Sequence, residues 1–408
     1  MDSDNPEEPI RGKKKSVKGY ASKLFKESSV SAVSSIVSTA SVSRKVFRAL
    51  VFLLFTAGFL YQCIKFLYYV LQYPTVVNIE INTPVRFLSP AYTFCNTNGV
   101  KRSKFCSKYP DYCKTPDKAF CDNNPLYCKG NDTKIPVEGA LDILGLEESL
   151  ELSHNLSILF IYPQNDISGP FPRVHEENFA TSCYSYHERI DNHLDALYRK
   201  KSELSNFAEE FMLFNPEENE TFFPNSKQGI IFAIHSPYEP INPFQKGIFL
   251  KPGRLYSITI QMLEEELLPY PYKTNCLNYT EKWLKANKSG TRSQEACRHR
   301  CAQDIFEECL NCSSVHIMAT RKKRLCKIND LDFSATHCPS PEEQFELCVK
   351  DCRDDCSRTK YTYDVQEMYL TQHMLRDVED KSLRLIRVKI SFDDSEIMKI
   401  RYQPQYQV

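Results

Sequence analysis

Cys297 and Cys301 stand four residues apart, and Cys348, Cys352 and Cys356 repeat that spacing. A thiol can ligate metal, act as a nucleophile or cross-link. Four residues is just over one helical turn, so each set falls on one helix face. Antiparallel helices bring together residues whose numbers share a constant sum. Cys297 with Cys352 and Cys301 with Cys348 do so. The pattern predicts a helical hairpin stapled by a disulfide ladder, with cross-linking as its chemistry. Cys309-Leu310-Asn311-Cys312 has a zinc-like spacing, but an oxidised chain favours disulfides.

Other chemistry-bearing patterns are thinner. Asp330-Leu331-Asp332 matches a metal-binding Asp-x-Asp pattern, but two acids at this spacing are common by chance. His187-Glu188 lacks a second His four residues after the first. No Gly-x-Ser-x-Gly occurs. A membrane-anchored enzyme is therefore the third class of reading; the expectation is no catalytic residue, no metal site and no cofactor. Glu264-Glu265-Glu266 and the set Asp351, Asp354, Asp355 are candidates for sensing protons or cations. Charge runs are more often solvated faces.

The elements that must hold the cysteines carry their own signals. Thr291 and Gln294 fit a capping box ahead of the first hairpin helix. Ser340, Pro341 and Glu343 fit a better one ahead of the second. Before these, residues 46–71 form an apolar run of roughly 38 Å as a helix at ~1.5 Å per residue, enough for a ~30 Å hydrocarbon core. Tyr61, Tyr68, Tyr69 and Tyr73 suit an interfacial belt, and Lys65 can snorkel. Residues 1–48 carry ten Lys or Arg against five acids in a chain of zero net charge. A basic flank before the span places the N-terminus in the cytoplasm. Of 17 cysteines, all but Cys63 follow the span. So do the sequons at Asn131, Asn155, Asn219, Asn278, Asn287 and Asn311. Cysteines and sequons agree on an extracellular bulk, and the basic segment belongs to membrane topology rather than to nucleic acid.

The organisation that follows has 1–45 as a cytoplasmic segment, 46–71 as the transmembrane helix and 72–408 as an extracellular cysteine-rich domain. Residues 72–100 are extended. Residues 101–130 form an insert in which Cys106, Cys113, Cys121 and Cys128 pair among themselves. Strands are predicted at 158–162, 230–234 and 255–261, and a helical stretch at 190–214. The stapled module is 276–356. Residues 357–408 return as strands, with alternation over 386–392 and 398–402 predicting a hairpin.

Several segments together resemble the degenerin, epithelial sodium channel and acid-sensing channel superfamily. Ser89-Pro-Ala-Tyr-Thr-Phe-Cys95-Asn96-Thr-Asn98 is similar to the family signature after its first span. Asn178 to Tyr184, ending Ser182-Cys183-Tyr184, is similar to a Gly-x-Cys-Tyr element. Ile234-His-Ser-Pro-Tyr-Glu-Pro240 and Leu250-Lys-Pro-Gly253 resemble a central-sheet signature. Leu268-Pro-Tyr-Pro-Tyr272 before Cys276 resembles the loop that opens the family's thumb. Cys348, Cys352 and Cys356 followed by Tyr361 resemble its close. Tyr402-Gln-Pro-Gln-Tyr406 resembles the approach to the second span.

The resemblance covers about residues 45–408. It implies a membrane α+β fold: one transmembrane helix, then a disulfide-rich ectodomain with a central β-sheet and a disulfide-stapled helical thumb. It implies the bridges Cys276–Cys356, Cys297–Cys352, Cys301–Cys348, Cys309–Cys338 and Cys312–Cys326, and Cys95–Cys183 in the sheet. It implies a plasma-membrane subunit of a sodium-selective, amiloride-sensitive-type channel. Its partners are homologous subunits in a homo- or heterotrimer, the lipid bilayer, and an extracellular ligand or proton; no nucleic acid is involved. Sodium is the permeant ion, N-glycans are expected, and there is no other cofactor. The family's gating His-Gly pair is replaced by Ser31-Ala32, so imidazole chemistry is absent there. Tyr270 and Tyr272 are gating candidates together with Tyr73 at the outer end of the span. The family's second span, which carries the ion filter, is not reached, so the chain is expected to be a fragment or shortened isoform. The alternative expectation is a single-pass, non-conducting binding or regulatory subunit.

Overall fold

The computed structural model describes residues 20, 24, 31–128, 133–161, 165–174, 180–190, 194–200, 210–318, 321–327, 339–369 and 384–406. Two compact units are distinguished, one of residues 1–74 with 405–408 and one of residues 75–404. The first unit holds α1 (Ser31–Ser38) and α2 (Val42–Val70). α2 begins four residues before the predicted span and is apolar enough along its length to cross a membrane, with none of its apolar stretch buried. Arg48 reaches back to Ser35 Oγ at 3.0 Å and Thr39 Oγ1 at 2.8 Å. Near the other end, Tyr69 donates to Gln405 Oε1 at 2.8 Å, and the Tyr406 ring sets its edge against Phe66 at 5.6 Å.

The second unit starts with β1 (Thr75–Asn82), β2 (Arg86–Leu88) and β3 (Ala91–Asn96). An insert follows: α3 (Arg102–Lys108), β4 (Cys113–Lys114), α4 (Lys118–Asn123), β5 (Ile135–Pro136) and α5 (Leu146–Glu151). Its cysteines are bonded as Cys106–Cys113 and Cys121–Cys128. Next come α6 (Leu156–Leu159), β6 (Ile167–Val174), β7 (Ala180–Tyr186), β8 (Tyr198–Lys200), β9 (Glu210–Phe214), β10 (Ile230–His235), β11 (Ile248–Leu250) and β12 (Arg254–Glu266). Helices α7 (Tyr279–Lys285), α8 (Gln294–Cys309) and α9 (Pro341–Asp351) lead to β13 (Ser357–Tyr369) and β14 (Ile386–Pro404).

The strands build two five-stranded sheets. One runs β1-β14-β12-β13, with β9 also on β14; the other runs β11-β10-β3-β7-β6. The main core takes side chains from both sheets, among them Phe94, Phe214, Phe232, Ile258, Ile260 and Val388. Burying each such side chain stabilises by about 1.5–3 kcal/mol relative to exposure. Cys95 lies opposite Cys183 across the β3–β7 ladder and is bonded to it.

Three sequence expectations are corrected here. Residues 386–402 do not form a hairpin: they lie in one 19-residue strand, parallel to β12 and antiparallel to both β9 and β1. The polar break at 393–396 is a bulge, with Ile260 opposite Phe392 and Met262 opposite Ile397. An interruption in alternation can thus mark a bulge as well as a turn. The stretch 190–214 is not helical where it is described; it contributes β8 and β9, because Phe214 and Met212 face the core as alternating strand residues. The segment predicted as a strand at 158–162 is instead the end of α6 plus a single bridge from Phe160 to Phe214.

Candidate functional site

The cysteine module is built on the ends of β12 and β13. Leu267 N donates to Cys356 O at 2.8 Å, and Cys276 is bonded to Cys356. Within the loop between them, Tyr270 is exposed and Tyr272 half-buried. α7 is capped by Asn278, whose side chain accepts from Glu281 N. α8 is capped by Ser293, whose Oγ accepts from Ala296 N at 3.0 Å, and not by the predicted Thr291 with Gln294. The reason is local: Gln294 turns inward to donate to Cys352 O at 3.0 Å, so it cannot close a box. α9 has its full capping box between Ser340 and Glu343, with Pro341 at the first turn.

α8 and α9 are joined by Cys297–Cys352 and Cys301–Cys348, with Cα separations of 5.8 and 5.7 Å. Cys312 is bonded to Cys326. Cys309 is also disulfide-bonded, and Cys338 lies outside the described residues. With both sulfurs of the Cys309–Cys312 pair oxidised, that pair lacks the thiolates a zinc site needs. Among the described residues no cluster of three or more His, Cys, Asp or Glu could hold a metal ion.

The root of the hairpin is polar and buried. Asp355, 6 % exposed, accepts the Gln294 N–H at 3.0 Å. Burial pushes its carboxyl up to about 7 against the pull of that N–H, and nearby Glu239 adds to the rise. Glu239 is itself raised by burial and by Glu295. Arg292 lies 4.1 Å from the ring centres of both Tyr238 and Trp283 and donates to Tyr238 Oη at 3.0 Å. Ser293 Oγ donates to Tyr238 O at 2.6 Å. These contacts fix the start of α8 to the loop after β10.

The far end of the hairpin is anchored as well. Arg173, on β6 and 2 % exposed, donates to Val315 O at 3.0 Å. Burial brings it down to about 10. His299 Nδ1 accepts from Met318 N at 2.9 Å as a neutral imidazole, its pKa lowered to about 4 by burial and then by Arg173. Glu147 on α5 accepts from Leu325 N at 2.7 Å and from Arg321 at 3.0 Å.

The other predicted residues fall as follows. Glu264, Glu265 and Glu266 lie on β12 among Lys399, Arg358, Lys360 and Arg401, with ion pairs of 2.5–3.5 Å. They are a charge-balanced ladder across three strands rather than an open acidic face. Of the second acid set, Asp355 is buried, Asp354 pairs with Arg358 at 3.9 Å and Asp351 is exposed. His187 is buried and stacked on Tyr186 at 3.8 Å, with burial lowering it to about 4. Asp330 and Asp332 lie outside the described residues. Ser31 and Ala32 open α1. Tyr73 follows α2 with φ of 50° and donates its N–H to Val70 O. Asn155, Asn219, Asn278, Asn287 and Asn311 are all exposed, and Asn131 lies outside the described residues. The Arg292 sandwich and Glu239 escaped the sequence reading. The signal was there in the only tryptophan of the chain, Trp283, nine residues before an arginine.

One exposed helix long and apolar enough to cross a membrane is followed by a β-rich domain that holds seven disulfides among the described residues. A profile of the amiloride-sensitive sodium channel family matches residues 24–134 and 160–408. The chain belongs to that family and is a sodium-channel-type subunit.

Proposed function

We propose that this chain is a subunit of a trimeric, amiloride-sensitive, sodium-selective channel of the plasma membrane. Its N-terminus is cytoplasmic, its ectodomain carries N-glycans, and an extracellular stimulus moves the stapled hairpin, the thumb of the family. The observation that carries this reading is one continuous path of backbone and ladder. α2 leads through Leu71–Pro74 into β1; β1 pairs with β14; β14 pairs with β12; β12 ends at the Cys276–Cys356 root of the hairpin. A sheet is stiff along its hydrogen-bonded strands, so displacement of the root is passed to the strand that continues the membrane helix. In this reading Tyr73, Tyr270 and Tyr272 take part in gating. Protons act on the buried acids Asp355 and Glu239 rather than on the paired Glu264–Glu266.

The test is electrical. Cells expressing the chain alone and with homologous subunits are voltage-clamped with and without amiloride. An amiloride-blocked sodium current that the homologous subunits by themselves do not carry supports the proposal. A chain that reaches the surface, carries no current and leaves the currents of its partners unchanged refutes it. A change in partner current without conduction of its own marks a modifying subunit instead.

A further inference from the structure

The sequon Asn311-Cys312-Ser313 follows α8 directly and is the one with a cysteine at its middle position. Asn311 is exposed, with φ of 52°. Its surroundings are locked. Cys309 and Cys312 are both disulfide-bonded, Cys312 to Cys326. Cys312 and Ser313 are each 0 % exposed. Every polar group of Ser313 is engaged. Its Oγ donates to Glu307 Oε1 at 2.8 Å, its N–H donates to Arg324 O at 2.7 Å, and its carbonyl accepts from Cys326 N at 3.0 Å. Glu307 Oε1 is held in turn by Gln303 Nε2 at 2.5 Å and Lys322 N at 3.0 Å. Closing the disulfide therefore seats Ser313 in a bridge opposite Leu325 and removes its hydroxyl from solvent. The sequons at Asn155, Asn278 and Asn287 differ: Ser157, Thr280 and Ser289 at their third positions are exposed. Asn219 separates burial from cross-linking. Its Thr221 is 0 % exposed and donates to Glu218 O at 2.7 Å, but no cysteine stands in that sequon.

Attachment of an N-glycan needs an accessible acceptor. The asparagine Nδ2 attacks C1 of a glycan carried on a lipid pyrophosphate. The C1–O bond breaks, the lipid pyrophosphate leaves with the bonding pair, and the amide loses a proton. The transferase reads the hydroxyl at the third position of the sequon. Ser313 can present that hydroxyl only while its bridge to Leu325 is open. We propose that glycan attachment at Asn311 competes with closure of Cys312–Cys326, so that only chains modified before the bond forms carry this glycan. It requires the extracellular placement proposed above, which exposes the chain to both reactions during synthesis. Closure passes two electrons and two protons from the thiols to a disulfide-bearing oxidant of the secretory lumen, which becomes a dithiol. The two reactions share one time window. Cys326 lies 14 residues after Cys312, about 1–3 s of synthesis at ~5–20 residues/s, and disulfide formation starts on the scale of seconds. A loop this short is closed at small entropic cost. Because Asn311 is exposed in the closed state, a glycan placed early is carried by the folded chain.

The test expresses the full chain in cells and reads occupancy of each sequon by mass spectrometry of deglycosylated peptides. Wild-type occupancy at Asn311 should be well below that at Asn278 and Asn287. Cys326→Ser leaves the sequon intact and should at least double it. Cys113→Ser, which opens the bridge to Cys106 instead, should not raise it. Occupancy is fixed during synthesis, so it is read whether or not the variant folds. A dithiothreitol pulse during synthesis of the wild type should also raise Asn311. Full occupancy of Asn311 in the wild type overturns the proposal, as does occupancy unchanged in Cys326→Ser. An equal rise at Asn219, or an equal rise in Cys113→Ser, also overturns it, since general misfolding would then be the cause. If Asn278 and Asn287 are modified while Asn311 fails to respond, the competition alone falls. If none of the three is modified in any variant, the extracellular placement falls with it.

Discussion

The Asp355 carboxylate accepts the backbone N–H of Gln294 at 3.0 Å, and so a residue just past α9 closes the first turn of α8. A helix N-terminus favours an anion, yet burial outweighs it and carries Asp355 up to about 7. A carboxyl raised in the folded state stabilises the fold fully below its unfolded value and loses that contribution as pH rises through the folded one. Stability should therefore fall between about pH 4 and pH 7. Asp355→Asn keeps an acceptor for Gln294 and removes the charge. We predict a thermal midpoint that no longer falls over this window, with a gain on the order of 2–4 kcal/mol at pH 8. Parallel pH profiles for wild type and variant would show that Asp355 does not titrate there.

Glu217 works in the opposite sense. Burial raises its pKa, but the hydrogen bond from His154 at 2.6 Å and the pairing with Lys101 at 2.7 Å outweigh it and bring the carboxyl down to about 2. Its contribution is present above about 4.5 and is lost as pH falls toward 2. Glu217→Gln should destabilise by about 3 kcal/mol at pH 7, since it strands a partly buried cation. Adding Lys101→Met should recover part of that loss. Chemical denaturation of the two single variants and the double variant measures the coupling, and additive losses would remove it.

The hairpin was legible in the sequence because a helix converts the spacing of Cys297, Cys301, Cys348 and Cys352 into facing positions. Capping chemistry at Ser340 and Glu343 was legible for the same reason: it is local. The two-sheet core was not. Phe160 and Phe214 touch only because β9 crosses beside β14, and no local pattern near residue 160 contains that pairing. The 386–402 strand defeated alternation at its bulge, where four residues face one. The root of the hairpin joins Tyr238, Trp283, Arg292 and Asp355, residues brought together only by tertiary packing.

Arg292 should resist conservative exchange. Its planar guanidinium fits between the Tyr238 and Trp283 rings, which a compact ammonium does not reproduce. We predict that Arg292→Lys costs about 1–2 kcal/mol. Trp283 is the only tryptophan and is 2 % exposed, so all tryptophan emission comes from this site. The variant should shift that emission to the red before global unfolding begins. An unchanged spectrum and an unchanged midpoint would mean the sandwich contributes nothing.

The Cys301–Cys348 rung offers the sharpest test of how the hairpin is held. A disulfide contributes typically 2–4 kcal/mol, but these bridges are nested, with sequence separations of 80, 55 and 47. Within a closed outer loop, an inner rung removes little further chain entropy from the unfolded state. Cys301→Ser should therefore reduce surface expression less than Cys276→Ser. Cys348→Ser should match Cys301→Ser, and the double variant should match either single one, because each single change already opens the bond and leaves its partner as a free thiol. Surface labelling of the four variants decides the matter. Losses that add in the double variant would mean Cys301 and Cys348 act independently of one another, and the ladder would then have to be drawn with other pairs.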